Sequence, residues 1–95
     1  MIAPERTVRL RITGEVQRVG YRIWATRTAS TQGLRGWVRN RSDGSVEAMA
    51  TGAPEAIAAF VEACWQGPRA AQVNGVTLVD AEDDGSFGFT ALPTE

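Results

Sequence analysis

The chain opens with Thr7-Val8-Arg9-Leu10-Arg11-Ile12-Thr13, a strict polar/apolar alternation. That period of two puts Val8, Leu10 and Ile12 on one face and predicts a half-buried strand. After Gly14–Gly20 the period lengthens: Tyr21, Trp24, Ala25, Thr28 and Ala29 form one stripe of a helix from Tyr21 to about Gln32, with Gly33 as its stop. Leu34–Asn40 reads as a second strand and Ser45–Thr51 as its return, joined by the hairpin turn Arg41-Ser42-Asp43-Gly44. Gly52-Ala53-Pro54-Glu55 suits a helix start, because proline is tolerated in the first turn and glutamate complements the dipole. Ile57, Phe60, Val61 and Cys64 then repeat at i, i+3, i+4 and i+7, and Gly67-Pro68 ends the helix. Val73–Ala81 predicts a fourth strand, Glu82-Asp83-Asp84-Gly85 a solvated acidic turn, Phe87–Ala91 a short final strand, and Leu92–Glu95 a loose tail.

Strand, helix, strand, strand, helix, strand is the order of a ferredoxin-like α/β (α+β) two-layer sandwich, a mixed sheet with two helices on one face. No linker, repeat or low-complexity stretch interrupts it, so residues 1–95 are expected to form one domain. The topology has a consequence for chemistry. A helical crossover makes the first two strands parallel, so both end at the same edge of the sheet. The loop that leaves strand one therefore lies near Asn40, the last residue of strand two.

That loop is Gly14-Glu15-Val16-Gln17-Arg18-Val19-Gly20-Tyr21-Arg22. It has glycines at both ends and opens a helix, whose first N–H groups have no intrahelical partner and point outward. Arg22 falls in the first helical turn, where a cation is electrostatically misplaced by about 0.3–1 kcal/mol, and Arg18 adds a second positive charge. Either both side chains lean into water, or a bound anion offsets the repulsion. The loop is not a Walker A motif, since no Gly-Lys-Ser/Thr ending follows.

Composition sharpens this picture. The formal net charge is −1, which argues against bulk nucleic-acid binding. The charge is unevenly spread, with nine arginines and two glutamates in residues 1–41 against one arginine and nine acids in residues 42–95. An anionic ligand thus belongs to the first half. The sequence has no histidine, which removes the commonest general base and metal ligand. With one cysteine there is no internal disulfide, and Cys64 sits on the apolar face of the second helix. No zinc or iron site has plausible ligand spacing, and no apolar run approaches membrane-spanning length. Met1–Arg6 carries no signal pattern, so a cytoplasmic, monomeric protein is the default.

The motif Gly14-x-Val16-Gln17-x-Val19-Gly20-Tyr21-Arg22 resembles the signature of the acylphosphatase family, as does Gly36-Trp37-Val38-x-Asn40-x-x-Asp43-Gly44-x-Val46-Glu47. Glu55-Ala56, Phe60, Gly67-Pro68, Val73-x-x-Val76 and Phe87-Gly88-Phe89 extend the similarity over nearly the whole chain. The resemblance implies a ferredoxin-like fold and hydrolysis of acyl phosphates to a carboxylate and inorganic phosphate, with no metal or cofactor needed. By position, Arg22 would bind the phosphoryl group together with the loop residues Gln17, Arg18, Val19, Gly20 and Tyr21 through their N–H groups, and Asn40 would orient the attacking water. Arg18 stands where the family usually has glycine, and Tyr21 where it usually has phenylalanine. If that glycine serves a left-handed backbone angle, arginine strains the loop.

Such chemistry suits a chain without histidine. The leaving carboxylate is the base of an acid with a pKa of about 4, so it needs no proton donor, and phosphoryl transfer is mostly positioning and charge stabilisation. The partner is a small-molecule or protein acyl phosphate, with no nucleic acid and no membrane. Two other readings share the fold. One is a non-catalytic module that docks a phosphate-bearing partner. The other is a single-stranded RNA binder, which would stack bases on aromatics of the central strands. Thr7–Thr13 and Ser45–Thr51 contain none.

Overall fold

A computed structural model describes residues 4–95, so the reading of the N-terminal segment lies, for residues 1–3, outside the described residues. The elements are β1 (Arg6–Glu15), α1 (Tyr21–Thr31), β2 (Arg35–Asn40), β3 (Val46–Gly52), α2 (Pro54–Gln66), β4 (Gln72–Asp80) and β5 (Phe89–Ala91). The sheet order is β4-β1-β3-β2-β5. β1 pairs antiparallel with β3 and β4, β2 antiparallel with β3, and β5 runs parallel to β2. This is the ferredoxin-like α+β arrangement expected from the element order, with the short fifth strand added at an edge.

Alternation decides which face is buried. Val8, Leu10 and Ile12 turn inward and are fully buried together with Val38, Val46, Ala48 and Ala50. Tyr21, Ala25 and Ala29 of α1 and Ile57, Phe60 and Cys64 of α2 close over them, so both helices cover the same face. Phe60 meets Phe89 edge-to-face at 5.8 Å, which ties α2 to the edge strand. Burial pushes the Cys64 thiol up to about 12, so it stays protonated at neutral pH and is inert as a nucleophile.

The acidic turn Glu82–Gly85 is exposed, as its composition predicts, and it is also tied down: Asp83 pairs with Arg35 at 2.6 Å and the Trp37 indole N–H donates to Asp84 at 3.0 Å. Arg35 holds the Asp83 carboxyl below the usual carboxylate range. One expectation fails at the C-terminal end: Leu92–Glu95 is not loose. Its backbone continues beside β2, with Leu92 N–H donating to Val38 O at 2.8 Å, Glu95 N–H to Asn40 O at 3.0 Å, and Ser42 N–H to Glu95 O at 3.1 Å. The Glu95 carboxylate adds a 2.7 Å ion pair to Arg39. Backbone pairing with a strand edge, which no side-chain pattern encodes, overrides the polar composition of this segment.

Candidate active site

β1 and β2 run parallel with β3 between them, so the β1–α1 loop and Asn40 share one edge as the topology requires. A small cavity of about 120 Å³ opens there, lined by Val16, Arg18, Gly20, Tyr21, Arg22, Ile23 and Asn40. Four of the seven candidate residues, Arg18, Gly20, Tyr21 and Arg22, thus meet Asn40 around one space. The lining contains two arginines and no carboxylate.

The loop is shaped by its backbone. Gly20 caps α1 in the left-handed region (φ 79°), no side chain caps the helix, and its first turn holds no acid. The first helical hydrogen bond runs from Trp24 N–H to Gly20 O at 3.0 Å. The N–H groups of Tyr21, Arg22 and Ile23 therefore have no backbone acceptor within the helix, and the helix dipole makes the same spot electropositive. Arg18 is the one non-glycine residue with positive φ among the described residues, at 63°. A side chain there costs about 1–2 kcal/mol relative to glycine. The strained alternative raised by the sequence is the one adopted.

Not every candidate side chain faces the cavity. Gln17 donates from Nε2 to Arg41 O at 2.7 Å and Ser45 O at 2.9 Å, which stitches the loop to the β2–β3 hairpin. Val19 packs against the core. The Tyr21 ring is buried, and its hydroxyl donates to Cys64 O at 2.6 Å. Burial pushes the Tyr21 phenol well above its ordinary value, so it remains a donor at all working pH. This bond joins the start of α1 to α2. Tyr21→Phe is expected to lower unfolding free energy by about 1–2 kcal/mol, because it leaves a buried carbonyl without its donor; urea unfolding at constant m-value measures it, and an unchanged midpoint would contradict the linkage.

Arg22 is half-buried, and its Nη1 donates to Leu92 O at 3.0 Å. One side of the guanidinium is thereby fixed by the C-terminal segment. The Asn40 carboxamide forms no hydrogen bond to another side chain or to backbone among the described residues, while the main-chain carbonyl of Asn40 accepts from Glu95 N–H. Leu92 and Ile23 were not among the sequence candidates. Leu92 acts through a backbone carbonyl and leaves no side-chain signal. Ile23 had one: an isoleucine off the helical stripe, and it is 61% exposed.

A larger groove of about 290 Å³ lies on the helix-free face of the sheet, between Arg9, Arg11, Arg41 and Glu47. Two of its three arginines are paired, Arg11 with Asp43 and Arg41 with Glu47 at 3.6 Å, and Arg9 is not. The groove has neither a helix N-terminus nor Asn40. Among the described residues no three His, Cys, Asp or Glu side chains converge as a metal site requires.

Known proteins share this frame. A protein from Azoarcus sp. described as acylphosphatase is 47% identical over 85 residues, covering 90% of this chain and 87% of its own. One from Rhodospirillum rubrum, described likewise, is 42% identical over 94% of this chain and 98% of its own. The solved structure of an acylphosphatase from Coxiella burnetii superposes with a TM-score of 0.89 at 31% identity, covering 93% of each chain. The family model for acylphosphatase matches residues 8–91, a span that runs from the first buried residue of β1 to the end of β5. Shared across the sheet, both helices and the loop between them, this similarity makes the chain a member of the acylphosphatase family, enzymes that hydrolyse acyl phosphates.

Proposed function

We infer that acyl phosphate hydrolysis by this chain proceeds without a metal ion or organic cofactor, with Arg22 and the N–H groups of the loop Gln17–Tyr21 as the phosphoryl cradle and Asn40 as the residue that positions water. The observation that carries this reading is the shared cavity: an N-terminal helix turn with free donors, a guanidinium and a carboxamide surround one small space. The water oxygen attacks phosphorus, the bond from phosphorus to the acyl oxygen breaks, and its electron pair leaves with the carboxylate. The water proton passes to a phosphoryl oxygen. Arg22 and the amides stabilise charge on the equatorial oxygens, and the Asn40 carbonyl oxygen accepts from the water and aims it. No step needs a side-chain base, in keeping with a sequence that has no histidine. The whole of residues 1–95 serves as one catalytic unit, acts as a monomer in the cytoplasm, and takes small-molecule or protein acyl phosphates as substrates. Among the described residues no helix is long and apolar enough to cross a membrane.

Hydrolysis of benzoyl phosphate in excess chelator tests the metal-free mechanism; turnover that disappears with the metal overturns it. Asn40→Ala tests the division of labour. It is expected to lower kcat by roughly 10²–10³-fold, the usual effect of removing one positioned polar group from a reacting centre. Competitive inhibition by inorganic phosphate should weaken by less than about threefold, since the cradle is intact. Equal losses in kcat and phosphate affinity would instead make Asn40 a phosphate ligand.

A further inference from the structure

The cavity between Arg22 and Asn40 measures about 120 Å³. It opens at the protein surface, and the half-buried Arg22 and Asn40 hold the phosphoryl group and its attacking water at the inner end. The acyl group of any substrate must therefore lie at the rim, against the residues that line the cavity and are also exposed. Two side chains meet that description, Arg18 and Ile23. The half-buried Arg22 and Asn40 belong to the floor.

Two features of Arg18 bear on its role. It occupies a left-handed backbone position that glycine would hold without strain. It is also without a counter-charge: five arginines (Arg6, Arg11, Arg35, Arg39 and Arg41) lie within ion-pair distance of a carboxylate and five (Arg9, Arg18, Arg22, Arg27 and Arg69) do not among the described residues, and of the unpaired five only Arg18 and Arg22 line this cavity. A strained, unpaired cation thus stands at the lip of the site, beside an exposed apolar side chain.

We propose that Arg18 is a specificity-determining residue that selects acyl phosphates whose acyl group carries a second anionic group, such as the monophosphate anhydride of a dicarboxylic acid. Ile23 contacts the carbon frame between the two charges, and Arg18 meets the distal carboxylate. The proposal rests on the assignment of the phosphoryl group to Arg22 and the loop amides.

The test compares benzoyl phosphate with 4-carboxybenzoyl phosphate, each enzymatic rate divided by the uncatalysed rate of the same compound. The two share ring, anhydride and leaving-group geometry and differ in one distal charge. The wild-type protein should favour the carboxylated substrate by about fivefold in kcat/KM at low ionic strength, the scale of a single exposed charge pair. The preference should fall towards one near 1 M salt, where the Debye length is about 3 Å. Arg18→Gln and Arg18→Gly should both lose it. Taking the ratio within each variant cancels any effect of loop relaxation on overall rate. A wild-type ratio near one, or a preference kept in both variants, overturns the proposal. So does an Arg18→Gln protein that loses both substrates equally and binds inorganic phosphate more weakly, which would place the guanidinium in the phosphoryl cradle. Failure of the underlying site assignment shows elsewhere: Arg22→Ala would then still hydrolyse benzoyl phosphate.

Discussion

Arg22→Ala is expected to lower kcat/KM for benzoyl phosphate by at least roughly 10³-fold, and to weaken inhibition by inorganic phosphate in parallel. Arginines that stabilise phosphoryl transfer contribute about 10³–10⁵ in rate, because the planar fork places two donors on adjacent oxygens as charge develops. Here the effect should sit at the upper part of such ranges for a positional reason. Arg22 is already oriented by the Leu92 carbonyl at 3.0 Å, and it faces a cavity with no carboxylate to neutralise it. The fold should survive. Removing the side chain loses one hydrogen bond to an exposed segment and relieves a cation placed against the helix dipole, and the two changes oppose each other at about 1 kcal/mol or less. Arg22→Lys keeps the charge but not the fork, so it should recover phosphate binding more than turnover. Steady-state kinetics on a variant shown by circular dichroism to be folded decides this; activity above about a tenth of the wild type excludes Arg22 as the clamp.

Gly36→Ala is expected to be the most damaging single methyl in the molecule. Gly36 lies in β2 between Ala50 of β3 and Phe89 of β5, and its φ is 144°. A Cβ there would fall 1.8 Å from Met49 O and 2.8 Å from Met49 C. Both atoms are backbone in the neighbouring strand, so the sheet itself must part. The pairing of β2 with β3 would open around Gly36 and Ala50, in the strand that carries Asn40 at its far end, and the N–H bond from Gly36 to Gly88 O would be strained with it. Effects of this kind exceed about 4 kcal/mol, against a total stability of about 5–15 kcal/mol for a domain. Most of the protein should be unfolded or insoluble at 37 °C. Gly20→Ala provides the contrast: its φ is also positive, at 79°, yet its Cβ would meet nothing within 4 Å. It should cost about 1 kcal/mol, the conformational term alone. Similar melting temperatures for the two variants would show that close approach to Met49 is not what demands glycine at position 36.

The contrast bears on what a sequence discloses. β1 was legible because Val8, Leu10 and Ile12 alternate against arginines and threonines, and α2 because Ile57, Phe60 and Cys64 keep one face. Their boundaries moved by a residue or two, as end-pairing with neighbours extended β1 to Glu15 and drew β4 back to Gln72. The meeting of the loop with Asn40 followed from topology alone, before any coordinate. What stayed hidden was carried by backbone atoms or by side chains with two uses. Gln17 sits inside a phosphate-loop motif, yet its carboxamide is a brace to Arg41 and Ser45. Glu82–Gly85 is acidic enough to read as pure solvent surface, but Arg35 and Trp37 reach it from a strand some 47 residues away in sequence. Leu92–Glu95 lacks apolar period altogether, so its pairing with β2 has no signature.

The contact between Arg22 and Leu92 has an evolutionary corollary. Its acceptor is a main-chain oxygen, and any residue but one disturbs it little; only proline is barred, because the Leu92 N–H is needed by Val38. Position 92 is therefore free to drift in identity while the geometry around Arg22 persists. Length is not free in the same way. One residue gained or lost between Phe89 and Leu92 would swing a different face of the chain, and a different carbonyl direction, towards the guanidinium. Descendants of this chain should accordingly vary freely in letter at the C-terminal side of β5 and hardly at all in spacing.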